Sequence, residues 1–341
     1  MDIPADLSKI ENDKSNKGTE KKFTISFIIP TYNEEKFLPK VLTAIKKLVI
    51  NLRYEIIVVD NGSTDATPRI AESYCAKVII DASKTIAGLR NLGAQNASGN
   101  ILVFLDGDVI LTKEWTKNIF DVIKQLEIDN KIITGSRCGI SLNPSWIEKH
   151  WFLPMTFEKS NYINSGHLII NKNVFKELGG FNEQFKTGED WEFCIRAKNR
   201  GVFKIINNPN LYVIHEGYPK TIREFIRREI WHGIQDVNNI YSFIHSKPSI
   251  FSLLYLSIGI CGIVFFINHK SINFLLTAVI LNSTLCFIAS LQKRKKFPLN
   301  LFYYFLIFHL YFFARGLSLF YKILNIFPSG AFKARNCLTL L

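Results

Sequence analysis

The chain has 341 residues, 48% of them hydrophobic, enough for the core of one large domain or two smaller ones. Its formal net charge is +13, yet all 29 acidic residues lie at or before Asp236, so residues 1–236 carry 32 − 29 = +3. The excess cations flank apolar runs near the C-terminus instead of lining a polar face, which argues against a nucleic-acid footprint. Neither a Gly-x-Gly-x-x-Gly nor a P-loop pattern is present, so neither of those phosphate cradles is indicated.

Residues 1–22 are polar and mixed in charge, have no apolar stretch of the signal-peptide kind, and are expected to be a disordered tail. Phe23 to Pro30 then reads as a strand stopped by proline. Phe37, Leu38, Val41, Leu42, Ile45 and Leu48 recur at helical spacing behind Thr31-Tyr32-Asn33-Glu34-Glu35. Tyr54 to Asp60 is a second strand, and Asn61-Gly62-Ser63-Thr64-Asp65 has turn and helix-capping chemistry. A short strand, Val78 to Asp81, and a helix rich in small residues, Ala87 to Ala97, lead to the apolar run Ile101 to Leu105. Alternating strands and helices predict a mostly parallel sheet with right-handed crossovers, which brings the strand ends at Pro30, Asp60 and Asp106 to one edge.

Asp106-Gly107-Asp108 follows the last of these strands, at the carboxyl edge where open α/β sheets bind ligands. Two carboxylates one residue apart can hold a divalent cation through oxygen, and a cation there would meet a phosphate-bearing substrate. The same three residues are also good turn formers. Further on, Glu189-Asp190-Trp191-Glu192 opens a helix, where acids are favoured by the helix dipole alone or could serve as a base. His215 ends the strand-like Leu211 to Gly217; a lone histidine is more often structural than a ligand. His167 and His232 are read as structural, and Trp151 and Trp191 as core or pocket walls. The six cysteines show no paired spacing, which fits reduced thiols.

Ile222, Ile226, Ile230, Ile234, Val237, Tyr241 and Ile244 form an apolar stripe with Arg223, Arg227 and Arg228 beside it, suited either to packing on the domain or to lying among lipid headgroups. Ile250 to Ile267, Ser271 to Gln292 and Phe297 to Ala314 contain no charged residue and match the bilayer core in length. Two firm transmembrane helices are expected, with a third segment that spans, re-enters or lies at the interface. The cluster Lys293-Arg294-Lys295-Lys296 places the loop after the second helix, and with it the N-terminal part, in the cytoplasm.

In order, Ile29 to Glu35, Val58 to Asp65, Arg90-Asn91-Leu92-Gly93, Asp106-Gly107-Asp108, Asn164-Ser165-Gly166 with Leu178 to Glu183, and Gly188 to Glu192 resemble the motifs of a family 2 glycosyltransferase with the GT-A fold. The resemblance covers roughly residues 23–233. It implies an α/β, GT-A-like, mostly parallel sheet flanked by helices (residues 23–219), and the apolar stripe and runs beyond it give an amphipathic linker (220–248), an α-helical membrane region (249–327) and a tail (328–341). It implies that Pro30, Thr31, Tyr32 and Glu34 border the nucleotide, that Asp60 accepts hydrogen bonds from base or ribose, that Arg90 approaches the nucleotide, and that Asp106 meets the ribose. Asp108 would hold Mg²⁺ or Mn²⁺, with His215 completing the metal site. Asp190 would be the general base, and Gly166, Glu189 and Trp191 would line the acceptor or sugar pocket. The implied partners are a nucleotide diphosphate-sugar donor, a glycan or lipid-linked acceptor and membrane lipids, with no nucleic acid. The activity implied is inverting sugar transfer to a hydroxyl at the cytoplasmic membrane face. The alternatives are a polyprenyl-phosphate glycosyl synthase and a non-catalytic nucleotide-sugar-binding membrane protein. Arg227-Arg228-Glu229-Ile230-Trp231 departs from the Gln-x-x-Arg-Trp signature of processive synthases, which favours a single transfer.

Overall fold

The structure is a computed structural model; it describes residues 25–49, 52–157, 160–185, 187–236, 243–244, 246–296 and 300–323. The two expected tails, and Val237 and Tyr241 of the apolar stripe, lie outside the described residues. A sheet of seven strands runs in the order β3-β2-β1-β4-β7-β6-β8. The first four are β1 (Ile25–Thr31), β2 (Tyr54–Asp60), β3 (Lys77–Ile80) and β4 (Ile101–Leu105), joined in parallel through α1 (Leu38–Leu48), α2 (Thr67–Ser73) and α3 (Ile86–Gln95). The remaining strands are β6 (Ile132–Gly135), β7 (His167–Asn171) and β8 (Lys204–Asn207), and β7 alone among the seven runs antiparallel. This is the GT-A-like, mostly parallel sheet expected. Its C-terminal half, however, has no clear signature in the sequence.

The central strands are buried on both faces, which is why they are continuous apolar runs without alternation. On one face Leu38, Val41, Leu42 and Ile45 of α1 join Trp115, Ile119 and Val122 of α4 (Lys113–Ile128) over Phe27 and Val103. On the other face α3, α6 (Lys172–Glu177) and α7 (Glu189–Asn199) pack on Ile28, Phe104 and Ile170. Gly93 is required here, because a Cβ at that point of α3 would run into Ile28 Cγ2. Cys75, Cys138, Cys194, Cys261 and Cys286 are unbonded thiols.

Two smaller elements shape the functional edge. A two-stranded ladder pairs β5 (Val109–Leu111) with β9 (Val213–His215). A π-helical turn, Glu148–Phe152, runs into the one-turn helix α5 (Leu153–Thr156). After β9, α8 (Ile222–Asp236) leads toward α9 (Lys247–His269), α10 (Ile272–Lys296) and α11 (Leu301–Ile323). These last three are each long and apolar enough to cross a membrane. The stripe predicted on α8 is offset: Phe225, Glu229, Ile230 and Gly233 are its buried positions, while Ile222 is 47% exposed. The reason is the partner, since Gly233 and Glu229 face Ser318 and Arg315 of α11, and a small residue and a charge pair make that seam.

Candidate active site

A cleft of about 450 Å³ opens at the carboxyl ends of the parallel strands, within the usual size range of ligand pockets. Its walls include Pro30, Glu34, Arg90, Asp106, Asp108, Glu189, Asp190, Trp191 and His215. Most of the residues expected from the sequence are thus gathered in one place, from five separate chain segments.

Asp106 and Asp108 leave β4 and enter β5. The β5–β9 register sets Val109 opposite His215 and so brings His215 Nε2 to 3.7 Å from Asp108 Oδ1. One ligand atom from each of Asp106, Asp108 and His215 lies within 4.8 Å of the other two. Two carboxylates and an imidazole at that spacing fit a divalent cation such as Mg²⁺ or Mn²⁺. Asp106 therefore also stands in the group that could hold a cation, beside the ribose role that the resemblance implies for it. Gly217 leaves the space the site needs, because a Cβ there would overlap Asp108 Oδ2. The His215 ring stacks on Tyr218 at 4.1 Å, and Tyr218 in turn stacks on Phe152 at 4.3 Å, which fixes the imidazole plane.

Arg90 is 3% exposed and bridges two acids: Nη2 donates to Asp106 Oδ1 at 2.6 Å and Nη1 to Glu189 Oε1 at 2.7 Å. Burial works against its charge, but Asp106 and Glu189 more than offset that and hold the guanidinium pKa above its ordinary value. Arg90 thus ties the Asp-Gly-Asp loop to the start of α7, and Glu189, which also accepts from Ser165 Oγ at 2.9 Å, is the anchor on that side.

Asp190 sits one residue on, at the N-terminus of α7. Its carboxylate accepts from the Ser165 backbone N–H at 3.2 Å and from the Trp191 N–H at 2.7 Å. Burial and the adjacent Glu189 carboxylate nevertheless push it up to about 7. A carboxyl poised there, facing a cleft, is suited to take a proton near neutral pH. Trp191 is 53% exposed at the rim.

Four expected residues stand behind the cleft wall. Asp60 is fully buried, and Thr31 Oγ1 donates to its carboxylate at 3.0 Å while Ser63 donates through N at 2.7 Å and Oγ at 2.5 Å. Asp60 and Thr31 thereby lock the ends of β2 and β1 together. Tyr32 is half-buried beside them. Gly166 backs Asp106, since a Cβ on it would come within 2.6 Å of Asp106 Oδ2.

The structural reading of His167 holds. Trp115 Nε1 donates to its Nε2 at 2.9 Å, while the Ser136 N–H and Oγ lie 3.1 and 2.9 Å from its Nδ1; burial pushes its pKa down to about 3. His232 differs from expectation, for it lines the cleft together with Arg228 and Trp231 of α8. Arg137, Tyr162 and Tyr218 were also not singled out in the sequence. Arg137 has a signal in the Gly135-Ser136-Arg137 turn after β6, but only the β6 register reveals that it faces the site.

The family model described as Glycosyl transferase family 2 matches residues 26–181. The glycosyltransferase AglE of Haloferax volcanii is 28% identical over 188 residues, which cover 52% of this chain and 62% of that protein. A Methanococcus voltae dolichyl N-acetyl-alpha-D-glucosaminyl phosphate 3-beta-D-2,3-diacetamido-2,3-dideoxy-beta-D-glucuronosyltransferase is 24% identical over 280 residues, 73% of this chain and 85% of that one. Among solved structures, Staphylococcus aureus TarS 1-349 in complex with UDP aligns over 84% of this chain and 91% of that chain, at 20% identity and a TM-score of 0.48. The chain spans less than two thirds of the length of AglE. Residues 26–181, which carry Arg90, Asp106 and Asp108, are a glycosyl transferase family 2 domain, followed in the same chain by three apolar helices of membrane-spanning length.

Proposed function

We propose that the protein is a membrane-anchored inverting glycosyltransferase that takes a sugar from a nucleotide diphosphate-sugar and transfers it to a hydroxyl of a lipid-linked or glycan acceptor. The observation that carries this reading is that Asp190, with its raised pKa, shares one cleft with the Asp106, Asp108 and His215 group. A divalent cation held by those three residues would supply the positive charge that the departing diphosphate needs.

The rest falls to the chain. Arg90 fixes Asp106 in place through its ion pair. Asp190 accepts the proton of the acceptor hydroxyl as that oxygen bonds to the anomeric carbon, while the bond from that carbon to the diphosphate oxygen breaks. Attack from the face opposite the leaving group inverts the anomeric configuration. Trp191 at the rim and Trp231, Tyr218 and Met155 on the far wall offer apolar surface for a sugar ring or a lipid-proximal acceptor.

The multi-pass membrane location belongs to the same proposal, with the catalytic domain on the cytoplasmic side beside the Lys293–Lys296 cluster. A lipid-linked acceptor is supported by the position of the cleft, one wall of which is α8, the helix seated on α11. The second reading, a phosphate acceptor, is favoured by Arg137, which lines the cleft and makes no ion pair among the described residues. A phosphate oxygen needs no base. Asp190→Asn therefore separates the two in an assay of product formation in native membranes: hydroxyl transfer is lost and phosphate transfer is spared.

A further inference from the structure

We infer that α11 does not cross the membrane but lies along its surface, wedged between the catalytic domain and the feet of a two-helix transmembrane hairpin formed by α9 and α10. By length and composition α11 is as good a span as its neighbours. What it touches decides otherwise.

The catalytic domain covers α11 along most of its length. Near the start of α11, Tyr303 stacks on His150 at 4.1 Å and lies 5.9 Å from Trp146. In the middle, Phe308 and Tyr311 pack on Trp151 at 5.3 and 5.0 Å. Toward the end, Arg315 Nε bonds Glu229 Oε2 at 3.0 Å, and Ser318 fills the space over Gly233. From residue 303 to 318 is about 22 Å of helix at 1.5 Å per residue. If α11 stood across a hydrocarbon layer about 30 Å thick, the Glu148–Phe152 turn and the arginines of α8 would have to be sunk into that layer. Buried ionic groups there carry a heavy penalty.

The hairpin contacts agree. α11 meets α9 near its beginning, where Phe251 and Tyr255 lie against Phe312 at 6.3 and 6.1 Å and Leu256 lies beside Gly316. The opposite end of the hairpin closes on itself through Gly262 against Ala278 and Phe265 against Phe274. There Ile263, Ile267, Ile272, Val279 and Ile280 are exposed, as lipid-facing residues of a true span are. Burial follows the same division: 33% of the apolar window of α11 is buried, against 11% for α9.

What α11 leaves uncovered is one narrow apolar line, Phe302, Leu306 and Phe313, spaced four and seven residues apart and therefore on one face. That line follows the Lys293–Lys296 cluster along the chain, which suits the boundary between acyl chains and anionic headgroups. The occupant of this face is the leaflet on the catalytic domain's side. The chain then crosses the bilayer twice, and its C-terminus lies on the same side as its catalytic domain.

The test uses the full chain with a C-terminal epitope tag, inserted in the membrane of bacterial spheroplasts. The expected result is that protease added outside reaches the tag and the catalytic domain only together, before or after permeabilisation, while Lys270→Cys reacts with a membrane-impermeant maleimide from the opposite side. A tag accessible from the same side as Lys270→Cys overturns the inference. As a second measurement, fluorophores on Phe302→Cys and Phe313→Cys should be quenched equally by a shallow lipid-borne quencher, with Val279→Cys quenched by a deep one. A transverse helix would instead separate the two α11 positions by about 16 Å of depth. Both readouts are independent of catalysis, so a failed sugar-transfer assay leaves them interpretable.

Discussion

His215 lies 3.7 Å from Asp108 through Nε2 and Oδ1, although 215 − 108 = 107 positions of chain separate the two residues. The contact exists because β5 and β9 pair with Val109 opposite His215, so that the ladder register sets the third ligand beside the two aspartates. If the three hold a cation, His215→Gln and Asp108→Asn should each weaken cation-dependent binding of a nucleoside diphosphate by about tenfold or more. Isothermal titration of UDP and GDP with and without Mn²⁺ reads this directly. Chelation should lower the wild-type affinity and leave the Asp108→Asn variant almost unchanged.

Gly217 gives a sharper version of the same test. A methyl group there overlaps Asp108 Oδ2, while the backbone around it carries no other demand for a missing side chain. Gly217→Ala should fold with a native circular dichroism spectrum yet lose cation-dependent nucleotide binding. If binding survives unchanged, Asp108 is not a ligand.

Asp190→Asn should lower kcat for transfer to a hydroxyl by about 10²–10⁴-fold, the usual contribution of a positioned base, with little change in donor KM. The pH profile follows from the raised pKa. Activity needs the ionised carboxylate, so wild-type kcat/KM should fall as the pH drops through about 7.

The same group makes a statement about stability, with the opposite sign from most carboxylates. Between its ordinary value near 3.8 and about 7, the folded protein holds a proton that the unfolded chain releases. Stability from this group is thus full at low pH and is lost as the pH rises to 7. Asp190→Asn removes the loss, so the variant should melt above the wild type at pH 8, and the gap should close as the pH is lowered toward 4. Thermal melts across that range, on protein in detergent, decide it.

The buried pair Glu229–Arg315 joins α8 to α11, and Arg228 shares the same carboxylate. Glu229→Gln takes the buried acid from both arginines and should destabilise by about 3–5 kcal/mol, whereas Arg315→Met leaves Glu229 paired with Arg228 and should cost less. The coupling energy from a double-mutant cycle in chemical denaturation is the readout.

The amino-acid sequence by itself determined the apolar strands β1, β2 and β4, the acidic and polar residues at their ends, and the apolar runs of α9 and α10. Burial on both faces makes a strand a continuous apolar run, and a bilayer demands about 20 apolar residues, so both signals are local and can be read without a partner. Asp106, Asp108 and Asp190 were legible as candidates for the same reason, each lying at the edge of an identifiable element. Tertiary structure alone decided the rest, because it depends on register and packing between distant segments. It turned Asp60 inward onto Ser63 and Thr31, bound Glu189 to Arg90, and brought His232 into the cleft. On α8 it chose the seam of Phe225, Glu229 and Gly233 over the more apolar isoleucine stripe, since a helix buries the face that fits its neighbour, and that neighbour is α11.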